Sequence, residues 1–214
     1  MLSRIVALLT LLPNVLLAQH TIKGVFTPAK DYKVVLLYKV TPTVSEYITN
    51  AEIQKDGSFN IVSMGHRNPQ GLAWNSEGEL YSSEHGQSAN DEINKIVQGG
   101  NYGWPEIEGN ESKEGMYAPL LTSGANETWA PSGMTFHDGL LSVAALRGKA
   151  ILVIDPDRME IVDKIDGYGR IRDIYSDGES LFFITNNTDG RGNPTESDDI
   201  FYKIGSHEMT VILE

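Results

Sequence analysis

Cysteine is absent from the 214-residue chain, which excludes disulfides, thiolate nucleophiles and thiolate metal centres. Positive charge is scarce: 17 Lys and Arg stand against 29 Asp and Glu, a formal charge of −12. That balance argues against a nucleic-acid backbone or an anionic membrane surface as the main partner and favours cations or neutral polar ligands. Neither a Gly-rich phosphate loop nor a Gly-x-Ser-x-Gly elbow occurs, so nucleotide cofactors and serine hydrolysis are not expected. His66 and His85 have no second His or Cys at ligand spacing, which leaves no zinc site. Long apolar runs are missing after the N-terminal MLSRIVALLTLLPNVLLA, and that run is broken by Pro13 and Asn14. It is too short to span a bilayer comfortably; one Arg before it and a small residue, Ala18, at its end predict a signal peptide over 1–18. The expected location is secreted or periplasmic, in a bacterial cell, with no membrane span. Without disulfides, such a protein must draw its stability from sheet packing or a bound metal.

What is present is enough for one sizeable core, with 40% apolar and 21% charged residues, and reads as globular in one or two domains. Residues 19–62 are rich in Val, Ile, Tyr and Thr, are punctuated by Pro28, Pro42 and a turn at Asp56, and predict a small β-rich segment of strands without helical period. From 63 to 214 glycine and turn dipeptides become frequent, and an internal similarity emerges. Pro69 opens PQGLAWNSEGELYSSEHG, Pro131 opens PSGMTFHDGLLSVAALRG, and Arg170 opens RIRDIYSDGESLFFITNNTDG. Each runs strand, tight turn, strand, loop, third strand, at a spacing of roughly 40 to 60 residues, as propeller blades do. The predicted fold is all-β, a partial propeller of about three to four blades preceded by the small β segment; unrelated hairpins in a β-sandwich are the alternative. Open blade edges would favour pairing of two copies, a homodimer.

Loops between propeller strands gather at one mouth of the central channel. That would bring Arg67, Asn68 and Gln70 towards Arg170 and Arg172, with Arg147 from the intervening unit. Converging arginines suit planar carboxylates, so a small polyanion is the expected ligand, against the plainer reading of solvated surface arginines. In SEHGQSANDEIN, Gly86 frees the backbone to turn, and Asp91 and Glu92 are hard oxygen ligands suited to calcium; two acids opening a strand are otherwise solvated.

Taken together, GHRNPQGLAW, SEHG, DEINKIVQGGNYGWP, APSGM, ALRG and GRIRDI resemble the motifs of the soluble quinoprotein glucose dehydrogenases and aldose sugar dehydrogenases, the glucose/sorbosone dehydrogenase family, from about Gly65 to Ile204. The resemblance implies a six-bladed β-propeller holding pyrroloquinoline quinone (PQQ) and calcium, oxidising the C1 hydroxyl of an aldose sugar and passing electrons to an acceptor. It implies that Arg67, the one residue assigned to catalysis, and Asn68 sit beside the quinone carbonyls, and that Gln70 and His85 line the pocket. Arg170 and Arg172 would grip the cofactor carboxylates, with Arg147 in the same task. Gly86 and Gln87 would lend carbonyls to the calcium, Gln87 standing where relatives carry Pro, and Glu92 with the carbonyl of Tyr102 would match a second calcium site. The general base of the family is a His in an earlier blade; neither His20 nor His66 fits its motif. The chain therefore reads as the C-terminal half of a propeller, 63–214, with little or no dehydrogenase activity expected alone. A non-catalytic propeller module binding carbohydrate or protein is the alternative.

Overall fold

The computed structural model describes residues 61–205 in full, and of the preceding chain the backbone of strand residues 6–9, 34–40, 45–53 and 59–60. All regular structure among these residues is strand, and no helix there is long and apolar enough to cross a membrane. The expected cleavage point at Ala18 lies outside the described residues. The chain forms two compact units, one of residues 1–68, 97–107 and 113–117, the other of residues 69–96, 108–112 and 118–214.

In the first unit, β2 (Val34–Val40), β3 (Ser45–Ile53) and β4 (Phe59–Met64) form an antiparallel meander. The backbone of β1 (Val6–Leu9), within the stretch read as a leader, runs parallel to β2. On the other side β4 takes β8 (Gly100–Asn101) as a short parallel neighbour, with Ser63 opposite Gly100 and Met64 opposite Asn101.

The second unit holds three sheets in sequence order, as the internal similarity predicts. The first is β5 (Pro69–Trp74), β6 (Leu80–Glu84), β7 (Glu92–Ile96) and β9 (Leu121–Thr122). The second is β10 (Pro131–His137), β11 (Leu140–Ala145), β12 (Ala150–Asp155) and β13 (Glu160–Asp166). The third is β14 (Ile171–Ser176), β15 (Ser180–Thr185) and β16 (Phe201–Gly205).

Turn chemistry sets each first hairpin. Asn75 Oδ1 accepts from the amides of Glu77 and Glu79 at 3.0 and 2.8 Å, and Asp177 Oδ1 accepts from Glu179 and Ser180 at 2.9 and 2.8 Å. Between β10 and β11 the loop is Asp138-Gly139 alone, both at positive φ of 48° and 82°, the two-residue turn whose twist matches paired strands.

The second sheet is covered on both faces. Ala73, Tyr81 and Ile93 of the first sheet meet Met134, Leu141, Val143 and Leu152 on one side; Ala144, Ile151 and Val153 meet Ile174, Leu181 and Phe183 on the other. This is why LLSVAA and AILVID are largely apolar instead of alternating. Each fully buried Leu, Ile or Phe there contributes roughly 1.5–3 kcal/mol. The third sheet differs. Its far face carries Tyr175 and Phe201 at 57% and 67% exposure, and Phe182 stacks on Phe201 at 5.8 Å.

Two glycines let the first strands of successive sheets approach. A Cβ on Gly71 would strike the carbonyl of Ser132 on β10, and one on Gly133 would strike Asp173 on β14. Because the obstacle at Gly71 is backbone, Gly71→Ala should lower stability by about 1–3 kcal/mol, read as the midpoint of a urea melt; an unchanged midpoint would show that the strands are not held this close.

Candidate functional site

The two longest motifs of the sequence meet in the first unit through the β4–β8 pairing. Gly65 follows β4 at φ 75°, and a side chain there would collide with Asn101, Tyr102 and Gly103. The amides of Tyr102 and Trp104 donate to the carbonyls of Met64 and Gly65, each at 2.9 Å. Arg67 is thereby laid over the Trp104 ring, its Cζ 5.3 Å from the centroid, a cation–π contact that holds the guanidinium flat. His66 is buried, 2.9 Å from Ser63 Oγ, and stacks on Tyr102 at 4.5 Å. Tyr102 in turn accepts the Val97 amide on its hydroxyl at 2.9 Å. GHRN and GGNYGWP thus brace one another, with Asn68 half-buried beside them.

The other predicted residues belong to the second unit, where two of them share a geometric device. In every sheet the first strand carries a register shift at its start: one between Pro69 and Gly71, one between Pro131 and Met134, one between Ile171 and Asp173. Such bulges put an extra residue into one strand and re-aim its side chain, and they concentrate at barrel rims and active sites. The extra residue is Gln70 in β5 and Arg172 in β14, both predicted from sequence. In β10 it falls at Ser132-Gly133. Ser132 is buried, its carbonyl accepts Ser83 Oγ at 2.7 Å, and its Oγ lies 3.5 Å from Arg172 Nη1. Ser132 was not among the predicted residues, though setting PSG against PQG places it level with Gln70.

Arg170 lies just before β14 at 6% exposure. Its amide donates to Asn187 Oδ1 at 2.8 Å, Nη1 to the Leu146 carbonyl at 3.2 Å, and Nη2 to Asp189 Oδ2 at 2.7 Å. Its Nε is buried and has no hydrogen-bond partner among the described residues. The bond to Leu146 brings Arg170 to the loop of Arg147, which is exposed. The Arg170 guanidinium holds the Asp189 carboxyl below the usual range. A carboxylate whose folded value is depressed adds stability that is present above its unfolded value and lost as pH falls through the folded one.

Around Gly86 the loop is tight, since a Cβ there would meet the carbonyl oxygens of Ala89 and Asn90. Gln87 is exposed and His85 half-buried. Asp91 is 1% exposed and serves as an acceptor hub. Oδ1 takes the Gly86 amide at 3.0 Å; Oδ2 takes Thr128 Oγ1 at 2.8 Å and the amides of Trp129 and Ala130 at 2.6 and 2.8 Å. Its lone pairs are committed to joining two loops, which leaves little capacity for a cation. Glu92 accepts from the Gly109 amide at 2.8 Å and from Asn94 at 3.2 Å. Among the described residues no three His, Cys, Asp or Glu side chains cluster as a metal site.

Known proteins carry the same pattern. The Glucose / Sorbosone dehydrogenase family matches residues 37–194. Quinoprotein glucose dehydrogenase B of Acinetobacter calcoaceticus is 40% identical over 123 residues, 55% of this chain and 24% of that protein. An aldose sugar dehydrogenase of Escherichia coli is 29% identical over 167 residues, 66% of this chain and 45% of its own. The PQQ-bound aldose sugar dehydrogenase of Streptomyces coelicolor superposes with a TM-score of 0.66 at 34% identity, covering 72% of this chain and 51% of that one. The chain thus spans about half or less of the length of these relatives. With well over half of its residues inside the family match, the chain belongs to the glucose/sorbosone dehydrogenase family.

Proposed function

We propose that this chain is the cofactor-cradling part of a PQQ-dependent sugar dehydrogenase that oxidises the C1 hydroxyl of aldoses. The observation that carries the reading is Arg170, a buried guanidinium with an unspent Nε–H. Arg172 stands at the bulge two residues on, and Arg147 on the loop that Arg170 touches. A small molecule with three carboxylates matches this donor set, because charge-assisted bonds in a dry site outweigh neutral ones. Bound PQQ supplies a quinone able to take a hydride from the sugar.

The chain's own residues then orient and polarise. Arg67, held flat by Trp104, and Asn68 are assigned to the quinone carbonyls, Gln70 and His85 to the pocket wall. Calcium is assigned to the carbonyls of Gly86 and Gln87, a reading supported by the crowding of backbone oxygens at Gly86; Glu92 with the Tyr102 carbonyl is the second site. The general base is assigned to none of the described histidines, His85 being given to the pocket wall. His66 is engaged by Ser63 and Tyr102, and His137 Nδ1 by Ser176 at 2.7 Å. Export, an aldose substrate, a separate electron acceptor and pairing of copies through open sheet edges complete the proposal, the last read by size-exclusion chromatography.

Purified protein reconstituted with PQQ and calcium should bind the cofactor yet reduce an electron-accepting dye with glucose slowly or not at all. Robust turnover would overturn the incomplete-site part of this reading. Failure to take up PQQ would overturn the whole of it.

A further inference from the structure

We infer that the Ser132 hydroxyl is a further residue of the cofactor site, donating its proton to the carboxylate that Arg172 holds. The inference rests on the proposed PQQ reading and concerns a residue of the APSGM motif that was given no role. Three bulges occupy the same place in three successive first strands, and they lie side by side: Gly71 abuts Ser132, and Gly133 abuts Asp173. Two of the three present residues assigned to the cofactor, Gln70 and Arg172. A bulge at each of these positions re-aims a side chain, and of the two residues at the middle bulge only Ser132 carries one.

Local hydrogen bonding gives the hydroxyl its direction. Arg172 Nη1, a donor without acceptor capacity, lies 3.5 Å from Ser132 Oγ, so the oxygen serves the guanidinium as acceptor and the hydroxyl proton is left to give. The backbone beneath is tied down, because Ser83 Oγ donates to the Ser132 carbonyl at 2.7 Å and the absence of a Cβ at Gly71 lets β5 lie close against that carbonyl. A hydroxyl beside a guanidinium, both on rigid strands, forms a two-donor grip on one carboxylate. Ser132 adds no charge, so it sharpens geometry without raising affinity for anions in general.

PQQ affinity, measured by equilibrium dialysis with calcium present, tests this. Ser132→Ala should raise the dissociation constant about tenfold or more, the size of one hydrogen bond to a charged group, with the thermal midpoint nearly unchanged. In an Arg172→Ala background the same change should have little further effect, since the two donors act on one group. If Ser132→Ala proves too unstable to assay, Ser132→Thr and Ser132→Val carry the comparison: they share a volume and differ in the hydroxyl, and Thr should bind PQQ more tightly. Wild-type affinity in Ser132→Ala, equal affinities for Thr and Val, or a full additive loss on Arg172→Ala would each overturn the inference while leaving the PQQ reading intact. A wild-type chain that does not bind PQQ would overturn both.

Discussion

Arg170→Ala should weaken PQQ binding on the order of 10- to 100-fold, because a hydrogen bond to a charged group is worth about 1.5–3 kcal/mol and this guanidinium is pre-placed. Its burial, its bond to Leu146 and its ion pair with Asp189 hold it in one orientation, so little ordering remains to be done when an anion arrives. The fold should survive the change. Asn187 keeps the residue-170 amide, and Asp189 keeps the Arg191 amide at 2.9 Å and Asn186 at 3.1 Å. A second signature accompanies the first. Asp189 owes its lowered carboxyl mainly to Arg170, so the wild-type chain should lose stability as pH falls through that depressed range, and the variant should lose less over the same window. Unaltered PQQ affinity in Arg170→Ala would take Arg170 out of the cofactor site.

The largest effect on stability is expected from Asp91→Ala. Four donors converge on this buried carboxylate: Gly86, Thr128, Trp129 and Ala130. Removing it strands three backbone amides and a hydroxyl, each costing about 1–3 kcal/mol if left dry. With partial rehydration a net loss of about 3–5 kcal/mol follows, a large share of a domain's stability. Urea denaturation measures it, and a loss under about 1 kcal/mol would show the loops are held by other means. Because Asp91 anchors the amide of Gly86, the variant should also need more calcium to bind PQQ.

These two residues show where sequence reasoning reached and where it stopped. The order of sheets was legible because Asn75, Asp138-Gly139 and Asp177 mark hairpins whose turn chemistry is local. The position of Arg170 and Arg172 at the head of a repeat unit, like that of Gln70, was legible for the same reason. Asp91 was not: an acid at a strand start looks alike whether it meets solvent, a cation or amides 38 and 39 positions away. Nor was the ion pair of Arg170, whose partner lies 19 residues on across a loop. Bulges escaped for another reason. An extra residue in one strand is visible only against its neighbour, and the pairing of β10 with β11 is not written in either strand alone. Gly71 and Gly133 were the trace they left, because a Cβ at either would strike the neighbouring first strand.

The cradle reading turns on whether the chain takes up the cofactor at all. Titrating PQQ into the wild-type protein with calcium present, by equilibrium dialysis, should give saturable binding of one PQQ per chain; no saturation up to about 1 mM, the affinity of a non-specific encounter, would contradict it.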